Sequence, residues 1–457
     1  MNNIGQILKI VREERGLQLS DVQKCTGIDV GQLSRIENAV RFPTAEQVRK
    51  LSDAYGLDRQ SLLVQWESDK IVSNLEYPDL ASETLKAAEE KMLYGIKYLP
   101  LFQEYIHPKP IGIESRRYIG NKAKLTDWIM DTISKETKDV HSFCDLFGGT
   151  GVVASRALKL YDRVIVNDFL YSNEILYQAF FGRGEWDRGR VGEFIREWND
   201  LDADNLEENY FSENYGGKFF GEKTSRVIGY IREQIEVRRE ELTEKEYAIL
   251  IASLIYSIDR LSNTVGHFDA YIKKPITETK PVFRMIDAAS YDGVKIYRED
   301  ANILAEDVEA DLFYLDPPYN SRQYSRFYHV YETLVKWDAP ELFGTALKPA
   351  PENMSRYCTT RARDAFKDLV GKMKARYIVV SYNNTYHSKS KSSENKIRLE
   401  DIEKILNEAG ETKVFEHSYQ AFTTGKTEFS DHKELLFITK VDDERRSKAF
   451  APLLRWR

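Results

Sequence analysis

The chain has 457 residues, a formal net charge of −7 and a hydrophobic fraction of 42%. That length accommodates two or three domains with a sizeable core, and the absence of any run of about eighteen apolar residues excludes a membrane span. Its three cysteines, Cys25, Cys144 and Cys358, lie far apart and form no metal-like or redox-like pair, and their odd number argues against a disulfide framework. Met1-Asn2-Asn3-Ile4-Gly5 carries no apolar leader, so a reducing cytoplasm is expected. The acidic balance permits a nucleic-acid binder only if basic residues gather on one face.

Residues 1–65 predict a small helical module. Ile4, Ile7, Leu8 and Val11 have helical spacing, with Gly16 as the stop. Ser20 suits the cap of a second helix over 21–25, and Thr26-Gly27 a tight turn. A third helix is expected over 29–38 with Leu33 and Ile36 inward, and Thr44 caps a fourth with Val48 and Leu51 inward. Two short helices joined by a glycine turn form a helix-turn-helix. The segments Leu33-Ser34-Arg35-Ile36-Glu37-Asn38 and Arg41-Phe42-Pro43-Thr44 resemble the phage-repressor type. In that family the start of the third helix faces the major groove. The positions are Val30, Gly31, Gln32 and Arg35, of which Gln32 and Arg35 can contact base edges. The alternative is a packing or dimerisation module. Residues 66–110 read as a connector, with a helix-like stretch over 82–98 and prolines at 100, 108 and 110 marking a boundary.

A strand expected over 141–147 runs into Gly148-Gly149-Thr150-Gly151 and an apolar helix start, Val152-Val153-Ala154. Glycines between strand and helix let the backbone approach a ligand closely. The spacing is neither GxGxxG nor a P-loop. A second strand, Arg163 to Asn167, ends at Asp168, about 20 residues on, where an acid can accept from ribose hydroxyls or simply cap the next helix. Residues 176–290 are mostly helical in character. Phe219, Lys223, Thr224, Arg226, Asn263, Thr264, His267 and Lys273 stand as polar or aromatic candidates for DNA contact there. The mixed charges from Arg232 to Lys245 suggest a solvated helix.

Leu312-Phe313-Tyr314-Leu315 predicts a strand buried on both faces, stopped at Asp316 by Pro317 and Pro318. This corner projects a carboxylate, a rigid carbonyl and the Tyr319 ring past the carboxyl end of the strand, where open α/β sheets bind ligands. Two acceptors beside a flat ring suit the exocyclic amine of a planar heterocycle. Further on, a strand is expected over 376–382 and a helix over 399–409 ended by Gly410. An antiparallel pair over 413–422 and 434–439 closes the sheet, with a polar loop over 383–395 carrying Lys389 and Lys391.

Three motifs now stand in order: Tyr118-Ile119-Gly120-Asn121-Lys122, Phe147-Gly148-Gly149-Thr150-Gly151 and Asp316-Pro317-Pro318-Tyr319. Together they resemble the alpha group of DNA adenine-N6 methyltransferases over about residues 113–440. Arg322-Gln323-Tyr324-Ser325 and Tyr328-His329-Val330-Tyr331-Glu332-Thr333 look like the branch linked to type II restriction systems more than the Dam-like branch. The resemblance implies a Rossmann-like α/β sheet over 111–457 with a helical target-recognition insert over about 176–290, behind an all-α helix-turn-helix domain over 1–65.

It further implies that S-adenosylmethionine is the methyl donor. Tyr118 and Lys122 bind it from the N-terminal motif, and Phe147, Gly149 and Gly151 line its amino-acid end. Asp168 takes the ribose, Asp300 lies near the cofactor adenine, and Asp316 faces the methyl group. Double-stranded DNA is the implied partner, with Arg322 as a contact, and a cognate restriction endonuclease the functional one. No metal is expected. Asp316 and the Pro317 carbonyl would accept the two N–H bonds of a flipped-out adenine, with Tyr319 stacked on the base. The alternatives are a cytosine-N4 methyltransferase, a helix-turn-helix regulator with an inactive enzyme domain, and an enzyme acting on RNA or a protein amide.

Overall fold

The computed structural model describes residues 3–73, 110–384, 395–418 and 433–442. The helix expected over 82–98, most of the loop with Lys389 and Lys391, and the tail lie outside the described residues. The chain divides into two compact units, Met1–Pro108 and Lys109–Arg457. No helix among the described residues is long and apolar enough to cross a membrane.

Among its described residues the first unit holds five helices: α1 (Ile4–Glu14), α2 (Leu19–Thr26), α3 (Val30–Glu37), α4 (Ala45–Ala54) and α5 (Arg59–Ser73). Ile4, Leu8, Leu33, Ile36, Val48 and Leu51 meet in one core, as their spacing demands. The fifth helix extends past residue 65, because Leu62 and Trp66, one turn apart, reach the same core. Ser20 does not cap α2. That helix starts two residues earlier, after Gln18, whose N–H donates to Asp21 at 3.1 Å. A bidentate pair joins Arg12 of α1 to the buried Glu37 of α3, at 2.6 and 2.8 Å.

The second unit is built on a seven-stranded sheet: β1 (Ser142–Asp145), β2 (Arg163–Asn167), β3 (Val294–Tyr297), β4 (Leu312–Leu315), β5 (Tyr377–Asn383), β6 (Gly410–Ser418) and β7 (Lys433–Val441). The strand order is β3-β2-β1-β4-β5-β7-β6. The first five are mutually parallel, and β7 enters antiparallel between β5 and β6. Successive residues serve opposite cores. Phe143, Leu312, Tyr314 and Val379 face one, while Cys144, Phe313, Leu315 and Val380 face the other.

The first face carries α6 (Thr126–Glu136), α7 (Val152–Ala157) and α8 (Tyr171–Phe180). It also carries the insert helices α9 (Arg188–Asp200), α10 (Tyr210–Tyr215), α11 (Glu222–Val237) and α12 (Glu244–Ile258). On the opposite face lie α13 (Ala301–Asp307), α16 (Ala362–Lys372) and α17 (Leu399–Asn407). Between these in the chain, α14 (Tyr324–Phe327) and α15 (His329–Lys336) rejoin the first face. Helix α12 is buried nearly all round, which explains its run of apolar residues without a helical stripe.

The charged stretch 232–245 is solvated at Glu233, Glu236, Glu240, Glu241 and Glu244 but not at its two ends. Arg232 is 1% exposed and donates to the carbonyls of Leu334 and Val335, while the buried Lys245 ammonium donates to the carbonyls of Gln178, Gly182 and Ala289. Gly410 does not cap α17 in a left-handed turn. It opens β6, where a Cβ would meet the Lys440 carbonyl at 2.0 Å, so the requirement is close strand approach.

Candidate active site

From β1 the chain goes to β2 and β3 on one side, then returns to place β4 on the other. The crevice at the carboxyl ends of β1 and β4 is therefore the topological switch point. A cleft of about 990 Å³, counted to its open mouth, lies there. Its wall is drawn from Tyr118–Lys122, Asp145–Thr150, Asn167–Leu170, Glu299–Ala301 and Asp316–Tyr319. Tyr118, Lys122, Phe147, Gly149, Asp168, Asp300, Asp316, Pro317, Pro318 and Tyr319, spread over some two hundred residues of sequence, are thus brought together.

The glycine turn is held from two directions. Gly149 has φ +53, which a side chain resists, and its N–H donates to Asp168 at 2.9 Å. The second Asp168 oxygen accepts from the Leu170 N–H at 3.0 Å. Burial pushes the Asp168 carboxyl up, against these N–H groups. Gly151 is set apart from the cleft wall. It has φ +79 at the start of α7, and a Cβ there would meet the Tyr177 ring at 2.9 Å, so its glycine serves packing. Tyr118 stacks on Tyr328, 4.5 Å between ring centres, and accepts from Asn173, which in turn accepts from the buried Arg116. Asp300 caps α13 through the Asn302 N–H at 2.8 Å and faces Arg356 at 3.4 Å.

At the end of β4 the two prolines stop the strand and Asp316 enters the cleft. Lys122, 194 residues earlier, places its buried ammonium 2.9 and 3.0 Å from the two Asp316 oxygens. The Tyr319 hydroxyl donates to Asp316 as well. That hydroxyl also lies 3.1 Å from Glu434 of β7, and Lys122 is 3.3 Å from the same Glu434 oxygen. The Tyr319 ring stands edge-on to Tyr382, at 74°, with the ammonium over one face. Burial raises the Asp316 carboxyl, Lys122 opposes it, and Glu434 adds to the rise. Asp145, at the end of β1, is buried with one oxygen lacking a hydrogen-bond partner. Burial, then the Asp316 charge, hold its carboxyl well above the ordinary range.

Asp145 and Glu434 are site residues that sequence reasoning missed. Asp145 had a signal, an acid ending a strand two residues before Phe147-Gly148. Glu434 had none, being an acid at the start of an otherwise mostly apolar strand. Arg322 lies outside the cleft, in an adjoining hollow with His267, Asp269, Arg326 and Phe327. Gln32 and Arg35 belong to the other compact unit. Arg35 is exposed there, and Gln32 accepts from the Gln47 amide at 3.0 Å. Of the insert candidates, Phe219, Thr224 and Thr264 are buried and cannot meet DNA as placed. Lys223 and Arg226 pair with Asp204 and Glu208, and Asn263 donates to the Lys218 and Ile272 carbonyls. His267 stacks on Phe327 and Lys273 is exposed.

Comparison with known proteins agrees with this geometry. Residues 118–392 match the D12 class N6 adenine-specific DNA methyltransferase family, and residues 3–63 match a helix-turn-helix domain. The chain is 33% identical to the type II methyltransferase M.FokI of Planomicrobium okeanokoites over 71% of its own length and 53% of that protein. It thus spans about half of M.FokI. It is 28% identical to M.NlaIII of Neisseria lactamica, over 69% of this chain and 95% of the other. With M.CviAII of Paramecium bursaria Chlorella virus 1 the identity is 30%, over 71% and 98%. An α/β sheet with its crevice at the switch point, the three motifs gathered around it and matches over most of the second unit lead to one assignment: the chain belongs to the D12 class of N6 adenine-specific DNA methyltransferases.

Proposed function

We propose that this protein transfers a methyl group from S-adenosylmethionine to the N6 amino group of adenine at a specific site in duplex DNA, as the modification arm of a restriction–modification system. A cognate endonuclease would be its functional counterpart. The observation that carries the reading is the Asp316-Pro317-Pro318-Tyr319 corner, placed at the end of β4 beside the glycine turn and Lys122.

The cleft suits the donor. Its wall is rich in acceptors, with Asp145, Asp168, Asp300 and Asp316 facing one space, and S-adenosylmethionine carries two positive charges and several donor groups. The buried, unpartnered oxygen of Asp145 is an acceptor with no explanation inside the fold. Asp168 would hold the ribose, Phe147 and Gly149 the amino-acid end with Tyr118 and Lys122, and Asp300 the adenine side. When bound, the donor supplies a methyl group on a sulfonium sulfur, which leaves as a neutral thioether while the methylated nitrogen gives up one N–H proton to solvent.

The chain's own residues then have to improve a poor nucleophile. The adenine amine shares its lone pair with the ring. Asp316 and the Pro317 carbonyl would accept its two N–H bonds and leave that pair directed into the cleft. Pro318 keeps the turn rigid and Tyr319 supports the base. The gain comes from positioning and electrostatics. A base inside the helix cannot reach this corner, so the nucleotide is extruded. Arg322 in the adjoining hollow and the insert over about 176–290 would meet the duplex.

A second reading concerns residues 1–65 and is favoured by their helix-turn-helix match. Gln32 and Arg35 of this module would bind DNA on their own account, at the promoter of the protein's own operon. Single-molecule sequencing of DNA from cells expressing the wild type and Asp316→Ala tests the main reading. The expected outcome is N6-methyladenine in one sequence context for the wild type and none for the variant. N4-methylcytosine in its place would overturn the reading. Footprinting with residues 1–65 deleted tests the second.

A further inference from the structure

We propose that Glu434 is a positioning residue for methyl transfer, its carboxylate receiving the Lys122 ammonium and the Tyr319 hydroxyl when Asp316 takes the target amine. The inference rests on the reading above. It starts from a conflict at Asp316. Both carboxylate oxygens already face the Lys122 ammonium, and one also accepts from Tyr319. A carboxylate offers about four lone-pair directions. A substrate N–H must compete for them, and the buried ammonium, which also reaches the Tyr319 hydroxyl and, at 3.5 Å, the Gly120 carbonyl, then needs another anionic partner to balance its charge.

Glu434 resolves the conflict. It is fully buried, and the Ser381 hydroxyl holds one of its oxygens at 2.6 Å. That oxygen is already 3.3 Å from the Lys122 nitrogen and 3.1 Å from the Tyr319 hydroxyl, so both donors change partners with little movement. Its second oxygen is buried with no hydrogen-bond partner. A vacant buried acceptor is a liability for stability alone. It is what a site needs if two donors are to be received there during a turnover. No covalent step is involved, and no proton is required to change owner.

The charged and titratable groups facing Asp316 are Lys122 from the N-terminal motif, Tyr319 and Tyr324 after β4, Tyr314 on β4, Asp145 on β1 and Glu434 on β7. Of these, Glu434 is the carboxylate sharing Lys122 with Asp316. Neutralising it gives Lys122 more completely to Asp316, which then titrates at lower pH and is a poorer acceptor for the amine.

The test uses the full-length protein in four forms: wild type, Glu434→Gln, Glu434→Asp and Ser381→Ala. Single-turnover transfer to adenine in unmodified duplex DNA is measured across the acid limb, alongside calorimetric binding of S-adenosylmethionine. Glu434→Gln is expected to slow transfer by about tenfold or more. Its acid limb should move to lower pH while donor affinity stays within about threefold. Glu434→Asp should recover part of the rate. A wild-type rate in Glu434→Gln, or a slower rate with the limb unmoved, would overturn the role. If Glu434→Gln does not fold, Ser381→Ala decides, since it keeps the charge and removes its anchor. Slowed transfer with a moved acid limb and unchanged donor affinity supports the role, and a wild-type rate, or slowing with the limb unmoved, overturns it. A wild type that transfers nothing to adenine counts against the proposed function instead.

Discussion

The Asp168 carboxylate accepts the backbone N–H of Gly149 at 2.9 Å, so the second strand's acid fastens the first strand's turn. The same group is proposed to receive the donor's ribose. Asp168→Ala should therefore weaken S-adenosylmethionine binding by about 10–100-fold, the loss of one or two hydrogen bonds to a charged group. Calorimetric titration reads this directly. Unchanged affinity would place the ribose elsewhere.

Lys122 lowers the Asp316 carboxyl against the effect of burial. Lys122→Met removes that support, so Asp316 titrates at higher pH and the acid limb of transfer moves upward. The rate at neutral pH should fall by about a hundredfold. Lys122→Arg should not rescue it, because the planar fork does not fit a site built around a compact ammonium. Rate against pH for the three proteins checks both points.

His329 is fully buried among Tyr215, Phe219 and Phe268. Its Nδ1 lies 3.1 Å from the Arg326 carbonyl and so carries the proton of the neutral ring. Burial pushes its pKa down to about 4 from an ordinary 6.5. The unfolded chain binds this proton first on acidification, so the folded state loses stability as pH falls between those values, by about 3 kcal/mol in all. Denaturant unfolding of wild type and His329→Phe at several pH values should show the wild type losing stability relative to the variant as the pH drops. Parallel curves would show that the ring is not the source.

Arg232 of α11 donates to Leu334 and Val335 at the end of α15 and to Glu236 and Tyr247 within the insert. It fastens the insert to the sheet's helical cover. Arg232→Met keeps the stem but leaves the buried Leu334 carbonyl and the half-buried Val335 carbonyl without this donor, and should cost about 2–4 kcal/mol in denaturant unfolding. A cost near zero would mean that solvent replaces the guanidinium.

The parts of this fold that sequence makes legible are those whose cause is local. Asp316 to Tyr319 stops its own strand, the glycines after Phe147 bend their own turn, and Asp168 ends its own strand. Each therefore appears where its neighbours dictate. Gly151 shows the limit, since a glycine needed for φ and for Tyr177 looks identical in sequence to one that faces a ligand. Lys245 and Arg232 look like solvated charges because their partners are backbone carbonyls at the ends of distant helices. Glu434 is illegible for a related reason. A carboxylate alone in a strand gains meaning from the residues folding sets beside it.

The reversed direction of β7 has a consequence of its own. Parallel strands deliver their last residues to the crevice, but a strand running the other way delivers its first. Glu434, second in β7 and paired with Asn383, reaches the same rim as Asp316 only because of that reversal. The closing hairpin is thus more than an edge cover. A chain cut short just before Lys433 would forfeit the carboxylate behind Lys122 and Tyr319 along with both ladders that β7 makes.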